Sequence, residues 1–137
     1  RGFKFNKELT NRLIANWKAN KYRYEYNIYE NKRGIFKVRI YSIVLYYIFK
    51  SLEKPDWISL TICRDFKGRT NEITQNLKYF LETILGIKMG KPLYQRLSKT
   101  SYAHIYANMM RRDNKNLFKT YVDISILDIE KFLQKRK

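Results

Sequence analysis

An α+β domain is the fold class the sequence predicts, and three observations predict it. Apolar residues recur at three- and four-residue spacing in several segments, the period of an amphipathic helix. Elsewhere they alternate with polar residues, the period of a half-buried strand. At 137 residues, 45% of them apolar, the chain can build one core, so residues 1–137 read as a single basic domain. The expected architecture is a mixed or antiparallel sheet, made of an N-terminal β-hairpin and a central strand and packed by several helices.

The elements follow in order. Lys7 to Asn20 reads as a helix, with Leu9, Leu13 and Trp17 four residues apart and Ile14 beside them. From Lys21 to Glu30 the period changes to two: Tyr22, Tyr24, Tyr26 and Ile28 alternate with Lys21, Arg23, Glu25 and Asn27. Ile35 to Tyr41 alternates again after a turn containing Gly34, which predicts a hairpin. Arg23, Lys37 and Arg39 then share a face with tyrosines; an ordinary solvated sheet face has this composition, and cations interleaved with aromatics also suit a nucleic-acid strand. Ser42 to Glu53 is apolar all round and is expected to be a buried helix.

Trp57 to Cys63 is the expected central strand, with Ile58, Leu60 and Ile62 on one face. Thr70 to Leu85 is a helix by its stripe of Ile73, Leu77, Phe80, Leu81 and Ile84. Thr70 or Asn71 is expected to cap it and Gly86 to end it. Glu82 falls off the stripe and is expected in solvent. Ile87 to Pro92 reads as a loop or short strand, and Tyr94 to Leu97 and Leu117 to Val122 as further strands. Helices are expected over Tyr102 to Arg112, which carries Ala103, Ile105 and Met109, and over Ser125 to Gln134, with Ile129, Phe132 and Leu133 inward. Ser125 and Asp128 stand at capping-box spacing.

Charge bounds the function. Lys and Arg number 29 against 12 Asp and Glu, a net charge of +17. Such an excess repels itself in a compact fold and attracts phosphate whatever the base sequence, so a polyanion is the expected partner: DNA or RNA first, an anionic membrane surface otherwise. Cys63 is the sole cysteine, which excludes an intrachain disulfide; with a single histidine, a zinc site is excluded as well. Cys63 itself is expected to be a small buried residue. No apolar stretch is long enough for a bilayer span, and Arg1 to Lys4 does not read as a signal peptide, so an intracellular setting is expected.

The chemistry is expected where the central strand feeds the next helix, the stretch Ile58 to Glu72. Strand ends of this kind are where α and β folds place ligands. Asp65 and Glu72 lie there among Arg64, Lys67 and Arg69, with Lys78 nearby. Two carboxylates in a basic setting suit a Mg²⁺ and a phosphodiester: the ion polarises the phosphoryl group, and Lys67, Arg64 or Arg69 offsets the transition-state charge. A restriction-nuclease string, Pro55-Asp56 followed by Asp65-Phe66-Lys67, is also present. A straight strand would hold its two acids roughly 30 Å apart at about 3.3 Å per residue, too far to share an ion. His104, in a helix after Ser98-Lys99-Thr100-Ser101, can act as a base near neutral pH, and Lys99 at that helix start can meet a phosphate. Walker and dinucleotide motifs are missing.

The segment Ile62-Cys63-Arg64-Asp65-Phe66-Lys67-Gly68-Arg69-Thr70-Asn71-Glu72-Ile73, with the tyrosine, lysine and isoleucine bias, resembles the small DNA nucleases of archaeal filamentous viruses, those of Acidianus among them. The resemblance implies an α+β domain distantly similar to nucleotidyltransferases, cutting of linear double-stranded DNA, and an essential glutamate. Its neighbours make Glu72, rather than Glu82, the choice for that glutamate. The Gly-Ser and Asp-x-Asp signature of nucleotide transfer is missing, which argues against transfer.

The expectation is therefore a nuclease acting in viral genome processing or host DNA degradation, with Glu72, Asp65, Lys67 and His104 as catalytic candidates. Asp65 and Glu72 are the metal candidates; Arg23, Lys37, Arg39, Arg64, Arg69 and Lys99 are the DNA contacts. The alternative is a non-catalytic protein that packages or regulates a genome. An anionic membrane-surface binder is a third class, disfavoured because no strongly amphipathic basic helix is legible.

Overall fold

The longest element is a helix where the sequence pattern alternates. A computed structural model describes residues 2–26, 30–53, 55–63, 68–96, 101–113, 115–116 and 121–135, and, within these, not the side chains of residues 30–33, 63 and 104. Helix α1 spans Lys7–Lys18. Asn6 accepts a hydrogen bond from the Leu9 N–H at 2.7 Å, which satisfies one of the orphan donors of the first turn. Leu9, Leu13 and Trp17 are buried as their spacing predicts, whereas Ile14 is exposed.

Helix α2 spans Glu30–Ser51, and it replaces the second half of the predicted hairpin. At about 1.5 Å per residue its 22 residues run about 33 Å. Among the described residues of the first half, 21–26, no strand forms either: Tyr22 makes one isolated antiparallel bridge to Gln134, and the Arg23 N–H donates to Leu133 O at 3.0 Å. The reason lies in packing. α2 is covered on one side by α1, where Phe36 stacks on Trp17 at 4.2 Å, and on another by the third helix, where Tyr46 meets Phe80 at 5.6 Å. Phe36, Val38, Ile43 and Tyr46 are therefore all buried. A helix buried on two sides loses its clean period, and its β-branched and aromatic residues imitate a strand locally. Ser42 is fully buried because its hydroxyl donates to Val38 O at 2.9 Å. The predicted helix from Ser42 is the second half of this element.

The predicted central strand is two short ones, β1 at Trp57–Ile58 and β2 at Thr61–Cys63. Helix α3 follows at Thr70–Leu77 and continues as a π-helical segment over Lys78–Ile84. Strands β3 (Lys88–Met89) and β4 (Leu93–Gln95) come next. β1 pairs with β3 and β2 with β4, both in parallel, so the expected mixed or antiparallel sheet is corrected to two parallel pairs. Once the hairpin is lost, every pairing joins strands on either side of α3, and a helical crossover returns the chain in the same direction.

Ile73, Leu77, Phe80 and Leu81 of the helix are buried to 1% exposure or less. Ile84 is 38% exposed, a correction to the predicted stripe: the wider π turn rotates it out, and Leu85 goes in instead. Gly86, at φ 75°, ends the helix in the left-handed conformation, and the Ile87 N–H donates back to Leu81 O at 2.8 Å. Glu82 is not a solvent residue. It is half-buried, and its Oε1 accepts from the Met89 N–H at 3.2 Å, tying the helix to β3.

Helix α4 (Tyr102–Arg112) has the predicted bounds; Ile105 and Met109 are exposed, and Met110 is buried. Met110 packs so closely on Gly2 that a Cβ there would overlap its sulfur. Residues 117–120 of the expected last strand lie outside the described residues; Tyr121 makes a parallel bridge to Gly2. Helix α5 spans Ile126–Glu130 and opens with the predicted capping box. The Asp128 N–H donates to Ser125 Oγ at 3.1 Å, and the Ser125 N–H to Asp128 Oδ2 at 2.9 Å. Ile129 and Leu133 enter the core. Among the described residues the chain is an α+β domain of five helices and two short parallel strand pairs.

Candidate functional site

The parallel pairing of β2 with β4 sets Cys63 beside Gln95, at the carboxyl ends of both strands. The chain runs from Cys63 into residues 64–67 and from Arg96 into residues 97–100. Arg64, Asp65, Lys67 and Lys99 therefore lie outside the described residues. The described part of the site is the far side of the first connection: Gly68, Arg69 and the first turn of α3.

Arg69 is the residue before α3. It makes no side-chain cap, and neither Thr70 nor Asn71 occupies the cap position as predicted. Its guanidinium instead turns along the helix, and Nη1 donates to both oxygens of Glu72, at 2.9 and 3.0 Å. The Arg69 side chain is 15% exposed and that of Glu72 40%. Glu72 thus has two electrostatic partners, the cation and the positive end of the α3 dipole. Gly34 of α2 gives Arg69 its room, since a Cβ at that position would overlap the guanidinium Nε.

Two further side chains fix this turn, and neither stood out in the sequence. Tyr94, in the middle of β4, donates its hydroxyl to Thr70 O at 3.1 Å and sits 2.6 Å from Thr74 Oγ1. It locks the start of α3 to the strand beside β2. Asn76 donates Nδ2–H to Glu72 O at 2.9 Å, while its Oδ1 accepts from Arg39 Nη1 at 3.0 Å. A tyrosine among twelve and an asparagine inside a helix carry no local pattern that marks them.

Arg39 is corrected from a DNA contact to a core residue. It is 9% exposed, donates to Asn76 and to Phe132 O, and lies 4.6 Å over the Phe80 ring. Burial lowers its pKa from the ordinary arginine value. In a hairpin Arg39 would share a face with Arg23 and Lys37; in α2 it turns inward toward α3 and α5. Arg23 is exposed and stacks over Tyr24 at 5.1 Å; Lys37 is exposed on α2. The predicted common face of Arg23, Lys37 and Arg39 does not form. Arg96, one residue past β4, is an exposed cation at the strand ends that the sequence reading passed over.

His104 belongs to α4, and its side chain is not described. Among the described residues there is no group of three or more His, Cys, Asp or Glu that could hold a metal ion. Glu72 alone, with both oxygens on Arg69, does not fit a divalent ion. No described helix is long and apolar enough to cross a membrane. No protein-family model, curated protein or solved structure matches the chain.

Proposed function

We propose that the protein binds DNA through its phosphates and hydrolyses phosphodiester bonds at the carboxyl ends of β2 and β4, with Glu72 as the acting carboxylate. The observation that supports it is the position of Glu72. This carboxylate is part-exposed, on the first helical turn beyond a parallel strand end, and held by an arginine in a chain of net charge +17. A carboxylate so held can orient a water for attack, and Arg69 can follow the charge as it moves to the phosphoryl oxygens. Arg96 and the chain's net charge of +17 supply the field that draws the polyanion in. A Mg²⁺ at Glu72 requires Asp65 as a second ligand and displacement of Arg69. Its chemistry when bound is polarisation of the phosphoryl group. The interior of a host cell, linear double-stranded substrate and a distant nucleotidyltransferase-like topology belong to the same proposal and rest on the resemblance of the Ile62 to Ile73 segment.

The second reading is a non-catalytic DNA-binding protein. The observation favouring it is that one Arg69 nitrogen engages both Glu72 oxygens, as in a structural ion pair. Linear duplex DNA incubated with the protein in Mg²⁺, in Mn²⁺ and in EDTA separates the two. Shortening of the DNA that is lost in Glu72→Gln supports the nuclease. Intact DNA in all three, with salt-sensitive binding, leaves the passive binder.

A further inference from the structure

A cavity of about 520 Å³ lies between α1 and α2, on the side of α2 that Trp17 covers. Small-molecule sites usually fall between about 300 and 1,000 Å³. Its walls include Leu13, Ile14, Trp17, Phe36 and Ile40. Trp17 is 4% exposed, and its Nε1–H is the buried side-chain donor left without a hydrogen-bond partner among the described residues. Lys18 and Lys37 line the same cavity, and both are exposed. Among the described residues neither is ion-paired with a carboxylate.

Apolar walls and two cations, Lys18 and Lys37, call for an amphipathic anion. A planar base suits the cavity less well. Phe36 covers the face of Trp17 at 4.2 Å and the Tyr26 ring meets Trp17 edge-on at 4.9 Å, so the indole has little open face for stacking. We propose that this cavity binds a free medium-chain aliphatic carboxylate. Its tail lies along Ile14, Phe36 and Ile40, and its head group meets Lys18 and Lys37. The proposal does not rest on the nuclease reading: it shares no residue with the Glu72 site, and only Lys37 is also an expected DNA contact.

The test uses the Trp57→Phe protein, which removes a 60% exposed indole and leaves Trp17 as the only tryptophan. Emission is followed during titration with octanoate, decanoate and dodecanoate below their micelle-forming concentrations. The expected result is a saturable change, with about threefold to fourfold tighter binding per added methylene. Acetate, which has the charge and no tail, produces no change. In Lys18→Glu/Lys37→Glu, dodecanoate binds at least tenfold more weakly while dodecanol binds as before. Ile14→Glu, at a position 39% exposed, is a second variant that keeps the fold and loses the same ligand. An unsaturable response, a response to acetate equal to that of dodecanoate, or undiminished dodecanoate binding in both variants overturns the proposal. So does a dimer in sedimentation that dodecanoate leaves intact, because the occupant is then a second copy. Attachment to phosphatidylglycerol vesicles without saturable binding of the free acid also overturns it.

Discussion

Arg69 meets both carboxylate oxygens of Glu72 with a single nitrogen, at 2.9 and 3.0 Å, one turn into the helix that follows β2. The pair is partly solvated, so its contribution to stability is expected at about 0.2–1 kcal/mol. Arg69→Ala is therefore predicted to shift the urea midpoint little. On DNA it is predicted to lower cleavage at least tenfold while binding weakens by less. Gly34→Ala gives the same phenotype from a distance, because a methyl at that position displaces the guanidinium. An Arg69→Ala protein that cuts at the wild-type rate removes Arg69 from the site.

Tyr94 ties β4 to the first turn of α3 through Thr70 O and Thr74 Oγ1. Tyr94→Phe keeps the ring and loses the hydroxyl, which costs about 1 kcal/mol, or up to about 3 kcal/mol where the abandoned partners stay dry. Chemical denaturation measures this. The same variant is predicted to lower the cleavage rate with little change in DNA affinity, because it loosens the turn that carries Glu72.

Arg39 and Arg23 separate a core cation from a surface one. Arg39→Leu leaves Asn76 Oδ1 and Phe132 O without their donor and is predicted to destabilise the fold by about 2–4 kcal/mol. The slope of log affinity against log salt stays unchanged. Arg23→Ala is predicted to leave stability within about 0.5 kcal/mol and to reduce that slope by about 1 if Arg23 meets a phosphate. The opposite assignment of effects restores Arg39 to the DNA surface.

Two tyrosines are predicted to contribute to the loss of stability at alkaline pH. Burial, with Asp128 nearby, pushes Tyr47 up to about 12, and burial with the Glu130 hydrogen bond pushes Tyr22 up further. In each, the folded protein holds the phenolic proton more tightly than the unfolded chain, whose tyrosines titrate near 10. Their contribution is thus complete below pH 10 and declines as pH rises through about 12 for Tyr47. Denaturant titrations at pH 9 to 12 are predicted to show a shallower loss in Tyr47→Phe and Tyr22→Phe than in the wild type.

What was legible in the sequence follows from how each residue's signal is stored. The α1 stripe of Leu9, Leu13 and Trp17, the Ser125–Asp128 capping box and Gly86 are local signals, written within a few residues, and all appear in the structure. The hairpin was misread because Phe36, Val38 and Ile40 alternate over a window shorter than the helix they belong to. What decides helix there is burial on two sides, by Trp17 and by α3, which no short window contains. The π segment has neither proline nor glycine to announce it. At the site, Glu72 and its Arg69 neighbour were legible because they lie three residues apart. Tyr94 and Asn76 act across 24 and 37 residues, on Thr70 O and on Arg39, and needed the fold to be seen. Asp65, the other expected acid, lies outside the described residues.

The most direct measurement is the cutting of end-labelled linear duplex DNA by wild type and Glu72→Gln at matched occupancy, with binding measured on the same samples. The prediction is that the wild type shortens the DNA while Glu72→Gln binds it equally and leaves it whole. Equal shortening by both proteins, or by neither, contradicts the assignment of Glu72.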